Sequence, residues 1–104
     1  MTNAQIIFDT SIDLMNEGII GTTGRKITIV DVNGEEKTIS EPEPIHTFAT
    51  WKALGRRVKR GERAKGKARI WKFTSKNVEG EDEPETNMFM KDAYFFTYSQ
   101  TEAI

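Results

Sequence analysis

The chain has 104 residues, 37% hydrophobic and 30% charged, with a formal net charge of -1; that supports one core and is too short for two independent ones. With no cysteine, disulfide frameworks, thiolate zinc sites and cysteine nucleophiles are excluded, and a reducing compartment fits. No run of about 18 apolar residues is present, and Asp9 and Asp13 lie where a signal peptide would be basic and then apolar, so the expected location is cytoplasmic, with no membrane partner.

In chain order, Phe8, Ile12, Met15 and Ile19 form one stripe of an amphipathic helix over residues 4–17, with Gly18 as its stop. The β-branched run from Lys26 to Val32 leads into Asn33-Gly34, and residues 37–40 return as a second strand; both turn residues tolerate positive φ, so a hairpin is expected. Residues 41–44, with two prolines, read as a stiff linker that ends the hairpin. Thr47 caps a short helix through Leu54, which puts Phe48, Trp51 and Leu54 on one face and Gly55 at the stop. Residues 56–67 read as a basic turn region punctuated by glycine. The run from Ala68 to Thr74 alternates Ala68, Ile70 and Lys72 against Arg69, Trp71 and Phe73, as a strand does. Residues 77–87 hold five acids with Gly80 and Pro84 and are expected to form a mobile acidic loop. Residues 88–98 are aromatic and strand-like, and pair with 68–74 in a long hairpin. The sum is a single small α+β domain over residues 1–104: an N-terminal helix, antiparallel hairpins, and a short second helix before a basic turn.

The near-neutral total hides a partition. From Lys52 to Lys76 there are eleven cations, Lys52, Arg56, Arg57, Lys59, Arg60, Arg63, Lys65, Lys67, Arg69, Lys72 and Lys76, opposed only by Glu62, for a formal charge of about +10. A phosphate backbone needs cations, and an unpaired base needs a flat ring to stack on. Trp51, Trp71 and Phe73 lie among these cations, and Tyr94, Phe96 and Tyr98 lie on the strand expected alongside. Lys52 and Arg56 share a helical face at a spacing of four, while Gly55, Gly61 and Gly66 offer close backbone approach to phosphate. A single strand suits this composition better than a duplex, whose readers usually present a recognition helix. Trp51 shares its helical face with two apolar residues, a core pattern as much as a platform. Trp71 and Phe73 share one side of their strand, which is either core or exposed. The acidic loop could also neutralise the basic face.

Catalysis finds little support. Gly61-Glu-Arg-Ala-Lys-Gly66-Lys67-Ala68 matches the first part of a phosphate-binding P-loop, but Ala68 replaces the magnesium-binding Ser or Thr, and a turn precedes and a strand follows. His46, the one histidine, is expected to be a surface or capping residue. No enzyme, cofactor or metal site is expected.

The phrase Thr50-Trp-Lys-Ala-Leu-Gly-Arg-Arg-Val-Lys-Arg-Gly-Glu-Arg63, followed by a basic strand and closed by Phe96-Thr-Tyr-Ser-Gln-Thr-Glu102, resembles the N-terminal domain of the anti-restriction protein ArdC and its plasmid and phage relatives. With the first helix, the resemblance covers about two-thirds of the chain. It implies a non-sequence-specific single-stranded DNA-binding module of a phage or mobile element, with Trp51, Lys52, Arg56, Lys59 and the Gly61-Glu62 turn in the motif. It leaves open whether Gln100 and Thr101 hold the scaffold or touch nucleic acid. The metalloprotease domain of full-length family members has no counterpart here, so no protease activity carries over. The hairpin stands where the family's tryptophan- and asparagine-containing stretch is expected, which weakens any carry-over of anti-restriction activity. The expected interface is Trp51, Lys52, Arg56, Arg57, Lys59, Arg60, Arg63, Lys65, Lys67, Arg69, Trp71, Lys72, Phe73, Tyr94 and Tyr98. Single-stranded DNA is the expected partner and RNA the second. A protein-interaction module docking an acidic protein is the alternative.

Overall fold

The computed structural model describes residues 2–76 and 85–104. Helix α1 (Asn3–Asn16) begins where the Thr2 side chain accepts the Gln5 amide proton. It ends where Gly18, at φ 77, lets its own N–H reach the Met15 carbonyl at 3.0 Å and the Ile19 N–H reach that of Leu14 at 2.9 Å. That closing turn delivers Ile20 into the core. The buried face of α1 is not the expected stripe. Ser11 and Leu14 are buried, Phe8 and Ile12 are half-buried, and Ile19 is exposed. Apolar residues at 6, 7, 8, 12, 14 and 15 write two overlapping stripes, and the sheet selects the one containing Leu14.

Strands β1 (Thr22–Val30) and β2 (Glu36–Pro42) form the expected antiparallel hairpin, with Ile27 opposite Ile39 and Val30 opposite Glu36. Its turn is longer than a two-residue Asn-Gly turn. Gly34, at φ 80, donates to the Asp31 carbonyl at 3.0 Å, the Asp31 carboxylate accepts the amides of Asn33 and Glu35, and Asn33 does not use positive φ. The stretch 41–44 is not purely a linker, because β2 runs through Pro42, which is buried opposite Thr22.

A short β3 (Ile45–His46) leads to α2 (Phe48–Ala53), capped by Thr47 as expected, with its side chain accepting the Thr50 amide proton. Then follow β4 (Arg56–Val58), β5 (Gly66–Lys76), β6 (Glu85–Thr97), a 3-10 turn (Tyr98–Gln100) and β7 (Thr101–Ala103). Three antiparallel sheets result: β1-β2, β3-β6-β5 and β4-β7. The fold is α+β, with the N-terminal helix, the hairpins and the short second helix in the expected order.

Four expectations are corrected. Residues 56–58 are strand rather than turn, and Gly66 and Lys67 already belong to β5. Lys52 and Arg56 do not share a helix, since α2 ends at Ala53. Tyr98 has left the strand and belongs to the 3-10 turn. Of the expected acidic loop, residues 77–84 lie outside the described residues, while Glu85 to Asn87 extend β6 opposite Thr74 to Lys76. Once register is fixed by a buried face, the ladder propagates outward past the apolar residues that set it.

The core comprises Leu14, Ile20, Ile45, Ile70, Ala93 and Phe95, with Ile6, Ile7, Met15 and Ala68 packed against it. Directly opposed residues in an antiparallel ladder share a face. Gly66 with Phe95, Ala68 with Ala93, and Ile70 with Lys91 therefore point toward α1, and so does Ile45 opposite Thr97. Lys67 with Tyr94, Arg69 with Asp92, Trp71 with Met90, and Phe73 with Met88 occupy the other face. The layer is thin, with extents of 55 × 41 × 19 Å. Its radius of gyration is 17.0 Å, against about 13 Å for a globule of this length.

Gly66 is where helix and sheet meet most closely, because a Cβ built there would lie 2.6 Å from Leu14 Cδ1. Its role is packing; unlike Gly55 and Gly61 it does not use positive φ. Gly66→Ala is expected to destabilise the fold by about 1–3 kcal/mol through overpacking, read as a lower urea midpoint at unchanged slope.

Candidate nucleic-acid interface

α1 covers one face of the β3-β6-β5 sheet, and α2 covers only one end of the other. Trp51 makes the second contact. It is 4% exposed, donates Nε1–H to the Phe96 carbonyl at 2.9 Å, and meets the His46 ring edge-on at 4.7 Å. Trp51 is therefore core, and its expected role as a stacking platform is corrected: no base can reach the ring. Phe48 and Leu54, expected to share its burial, are exposed. A six-residue helix on a sheet end buries one side chain deeply, and that one is Trp51.

His46 is half-buried on β3 rather than a surface or capping residue, and burial pushes its imidazole below the ordinary value of 6.5. The folded state thus disfavours the protonated ring. The corresponding stability is complete above the unfolded pKa near 6.5 and is lost as pH falls through the depressed folded value.

The basic segment is divided among three places. On β4, Arg56 lies 3.9 Å over the Tyr98 ring and donates from Nε to Thr101 Oγ1 at 2.7 Å, while Arg57 pairs with Glu102 at 2.8 Å. Arg56 and Tyr98 so contact each other in the joint of β4 with the C-terminal turn, with Arg56 half-buried and Tyr98 56% exposed. The second place is the loop 59–65, held from beneath by Gln100. The Gln100 carbonyl accepts the Lys59 amide at 2.8 Å; its side chain donates to the Arg63 carbonyl at 2.6 Å and to Glu62 at 3.2 Å, and accepts the Thr97 amide at 3.0 Å. Gln100 and Thr101 are both 3% exposed, so the open question about them resolves to scaffold. Lys59 is tied through Nζ to the Ser99 carbonyl at 3.2 Å. The exposed Arg60, Arg63 and Lys65 have no carboxylate within 4.0 Å among the described residues.

The third place is the face of the ribbon that α1 leaves open. Here Lys67 and Arg69 stand beside Tyr94, Trp71 and Phe73. Phe73 and Tyr94 are 66% and 53% exposed, and Trp71 is half-buried. Asp92 lies 3.6 Å from Lys67 and 3.7 Å from Arg69. These are long, exposed pairs of the kind that contribute little and leave both cations available. Where α2 meets this face, a groove of about 450 Å³ is lined by Phe48, Ala64, Tyr94 and Phe96, with Lys72 and Lys91 at its border. Lys52 is exposed on α2, outside this groove.

Five expected residues, Lys67, Arg69, Trp71, Phe73 and Tyr94, therefore share one surface. Phe48, Phe96 and Asp92 border it without having been expected, while Lys72 and Lys91, whose rungs belong to the α1 side of the ladder, reach only the groove. Stepping by two from Tyr94 along the strand finds Asp92 and Phe96; nothing in the sequence marks Phe48 as exposed. A second groove of similar volume, between α1 and residues 41–46, is mostly apolar, and its Arg25 is paired with Glu41. Among the described residues no acidic or histidine cluster could hold a metal, and no helix is long and apolar enough to cross a membrane.

Comparisons with protein-family models, with curated proteins and with solved structures give no match.

Two outcomes are expected. Gln100→Leu leaves buried amide and carbonyl groups unpaired and should cost about 1–3 kcal/mol, with faster hydrogen exchange at the amides of 59–65. The thermal midpoint should fall between pH 7 and pH 5, and part of that fall should vanish in His46→Gln.

Proposed function

We propose that this domain binds single-stranded DNA without sequence preference, on the open face of the β5–β6 ribbon and the adjoining loop 59–65. The observation that carries the reading is the composition of that face. One helix buries the apolar side of the ladder, and the opposite side carries Lys67 and Arg69 beside the exposed Tyr94, followed by half-buried Trp71 and exposed Phe73. Rings take bases and cations take phosphates, and neither contact depends on base identity. No described helix offers the long exposed polar face that a major-groove reader inserts. The phrase resembling the ArdC N-terminal domain supports the same reading, and with it an origin in a phage or mobile element. Most of its residues build the joint that presents the loop: Trp51 in the core, Arg56 on Tyr98, and Gln100 beneath the turn.

The phosphate ligands in this reading are Arg60, Arg63, Lys65, Lys67 and Arg69, and the stacking residues are Tyr94, Trp71 and Phe73. Phosphate contacts set the salt dependence, and stacking sets much of the remaining affinity.

The test is fluorescence anisotropy with labelled single-stranded DNA, duplex and RNA of matched sequence at two salt concentrations. Binding that is tightest for the DNA single strand and falls steeply with salt is the expected outcome. Arg63→Ala or Lys65→Ala should each flatten the log–log salt slope by about 0.7, and Tyr94→Ala should cost about 1–3 kcal/mol of binding. Salt-sensitive self-association with no affinity for any nucleic acid would favour the protein-interaction reading, and tighter binding to RNA would change the partner.

A further inference from the structure

Resting on the single-strand reading above, we infer that the ribbon selects a particular conformation of its DNA: an extended strand with its bases unstacked, one nucleotide per rung of the ladder. Between the loop and the rung of Ser75 with Thr86, the open face presents four successive rungs, Lys67 with Tyr94, Arg69 with Asp92, Trp71 with Met90, and Phe73 with Met88. Same-face residues on an antiparallel strand are about 6.8 Å apart, two rises of about 3.4 Å. A strand within a duplex advances only about 3.4 Å per nucleotide. Stacked bases would therefore pass the rungs at twice the frequency of the rings, and at most every second base could meet one. A strand stretched until its bases separate matches the spacing rung for rung.

The distribution of chemistry along the rungs agrees with this. Tyr94 stands at the proximal rung, Trp71 and Phe73 at the two distal ones, and the rung between carries Arg69, whose planar guanidinium can lie against a base or reach a phosphate. Beyond the proximal rung the Lys65 amide is bonded to the Phe95 carbonyl at 2.9 Å. The cationic loop thus continues directly from the ladder and takes up the phosphates that follow. Phe73 and Met88, exposed to 66% and 56%, are opposed on the open face one rung before Ser75 with Thr86. That is an apolar platform with no covering element among the described residues, and it suits the face of a base.

Asp92 sharpens the register. It is the one carboxylate on these four rungs, and it sits between two cations at 3.6 and 3.7 Å. A phosphate placed there would meet like charge, so the backbone lies to the sides of the ladder and the bases lie across it.

Three consequences follow from an extended, unstacked strand as opposed to a stacked strand held by its phosphates alone. Oligo(dA) must lose its own stacking to bind, whereas oligo(dT) has little to lose, so oligo(dT) should bind more tightly by about three- to tenfold. The circular dichroism of oligo(dA), which reports base stacking, should collapse on saturation. Affinity for oligo(dT) should also rise with length up to about four to six nucleotides, four for the rungs and the rest for the loop.

The experiment is a titration of oligo(dT) and oligo(dA) of equal length, read by anisotropy and by circular dichroism of the DNA. The wild type is compared with Phe73→Ala and Tyr94→Ala, two exposed positions whose truncation leaves the core intact. Loss of the oligo(dA) stacking signal, a preference for oligo(dT), and a drop of at least about fivefold in each variant would support the inference. Equal affinities with the stacking signal retained, and variants that bind like wild type, would overturn it while leaving single-strand binding in place. No binding to either oligonucleotide would overturn the underlying reading itself.

Discussion

The constraint on which the rest depends is the one-sided burial of the β5–β6 ladder. Phe95, Ala93 and Ile70 are buried together with Leu14 of α1, and Gly66 lets the helix approach because any side chain there would strike Leu14. Side chains in a strand alternate strictly, so committing one set of rungs to the core commits the other to solvent unless a second layer covers it. The second layer here is only α2, six residues long and seated on Trp51 at one end. What remains open is the face that carries Lys67, Arg69, Trp71, Phe73 and Tyr94. The same hydrophobic pattern that builds the core therefore specifies, by exclusion, the face that stays open.

A second constraint concerns charge. A run of cations in a short loop repels itself, and a loop free to spread would present no fixed surface. The buried Gln100 answers this by bonding the backbone and side chains of residues 59–63 from below, with Glu62 turned toward it rather than toward neighbouring cations. Arg56 and Arg57 contact Tyr98, Thr101 and Glu102 where β4 joins β7. A share of the positive charge is thus structural, and the cations of the open face and loop are fewer than the sequence count of eleven.

The sequence was legible where a local pattern fixes the structure. Thr47 and Gly55 bracket α2, Gly18 closes α1, and the β-branched alternation around Asn33-Gly34 makes a hairpin. The pairing of β5 with β6 followed from two strand-like runs, 68–74 and 88–98. It was illegible where contacts between distant residues decide. Nothing local shows that Arg56 to Val58 will pair with Thr101 to Ala103, since three residues are too few for a strand signal. Leu14 rather than Phe8 faces the core because of Gly66, which lies 52 positions away. Trp51, Phe48 and Leu54 look alike on a helical wheel, yet only Trp51 has a carbonyl to bond and rings to lean on. For the open face, alternation grouped Trp71 with Phe73 but left open whether that side was core, and placing Asp92 and Phe48 needed the register and the docking of α2.

The β4–β7 joint has one further consequence, in the order of events during synthesis. Arg57 pairs with Glu102, Lys59 with Gln100, and the Ile104 amide bonds the Gly55 carbonyl. Each contact spans more than forty residues, and such closures come late because the entropy of a long loop is lost before the contact forms. On the ribosome the cations of 56–69 emerge well before Gln100 does. A nascent chain at that stage carries the charge for attracting polyanions without the clamp that shapes it. The ordered loop arises only when the last strand docks, which ties acquisition of the finished surface to completion of the fold.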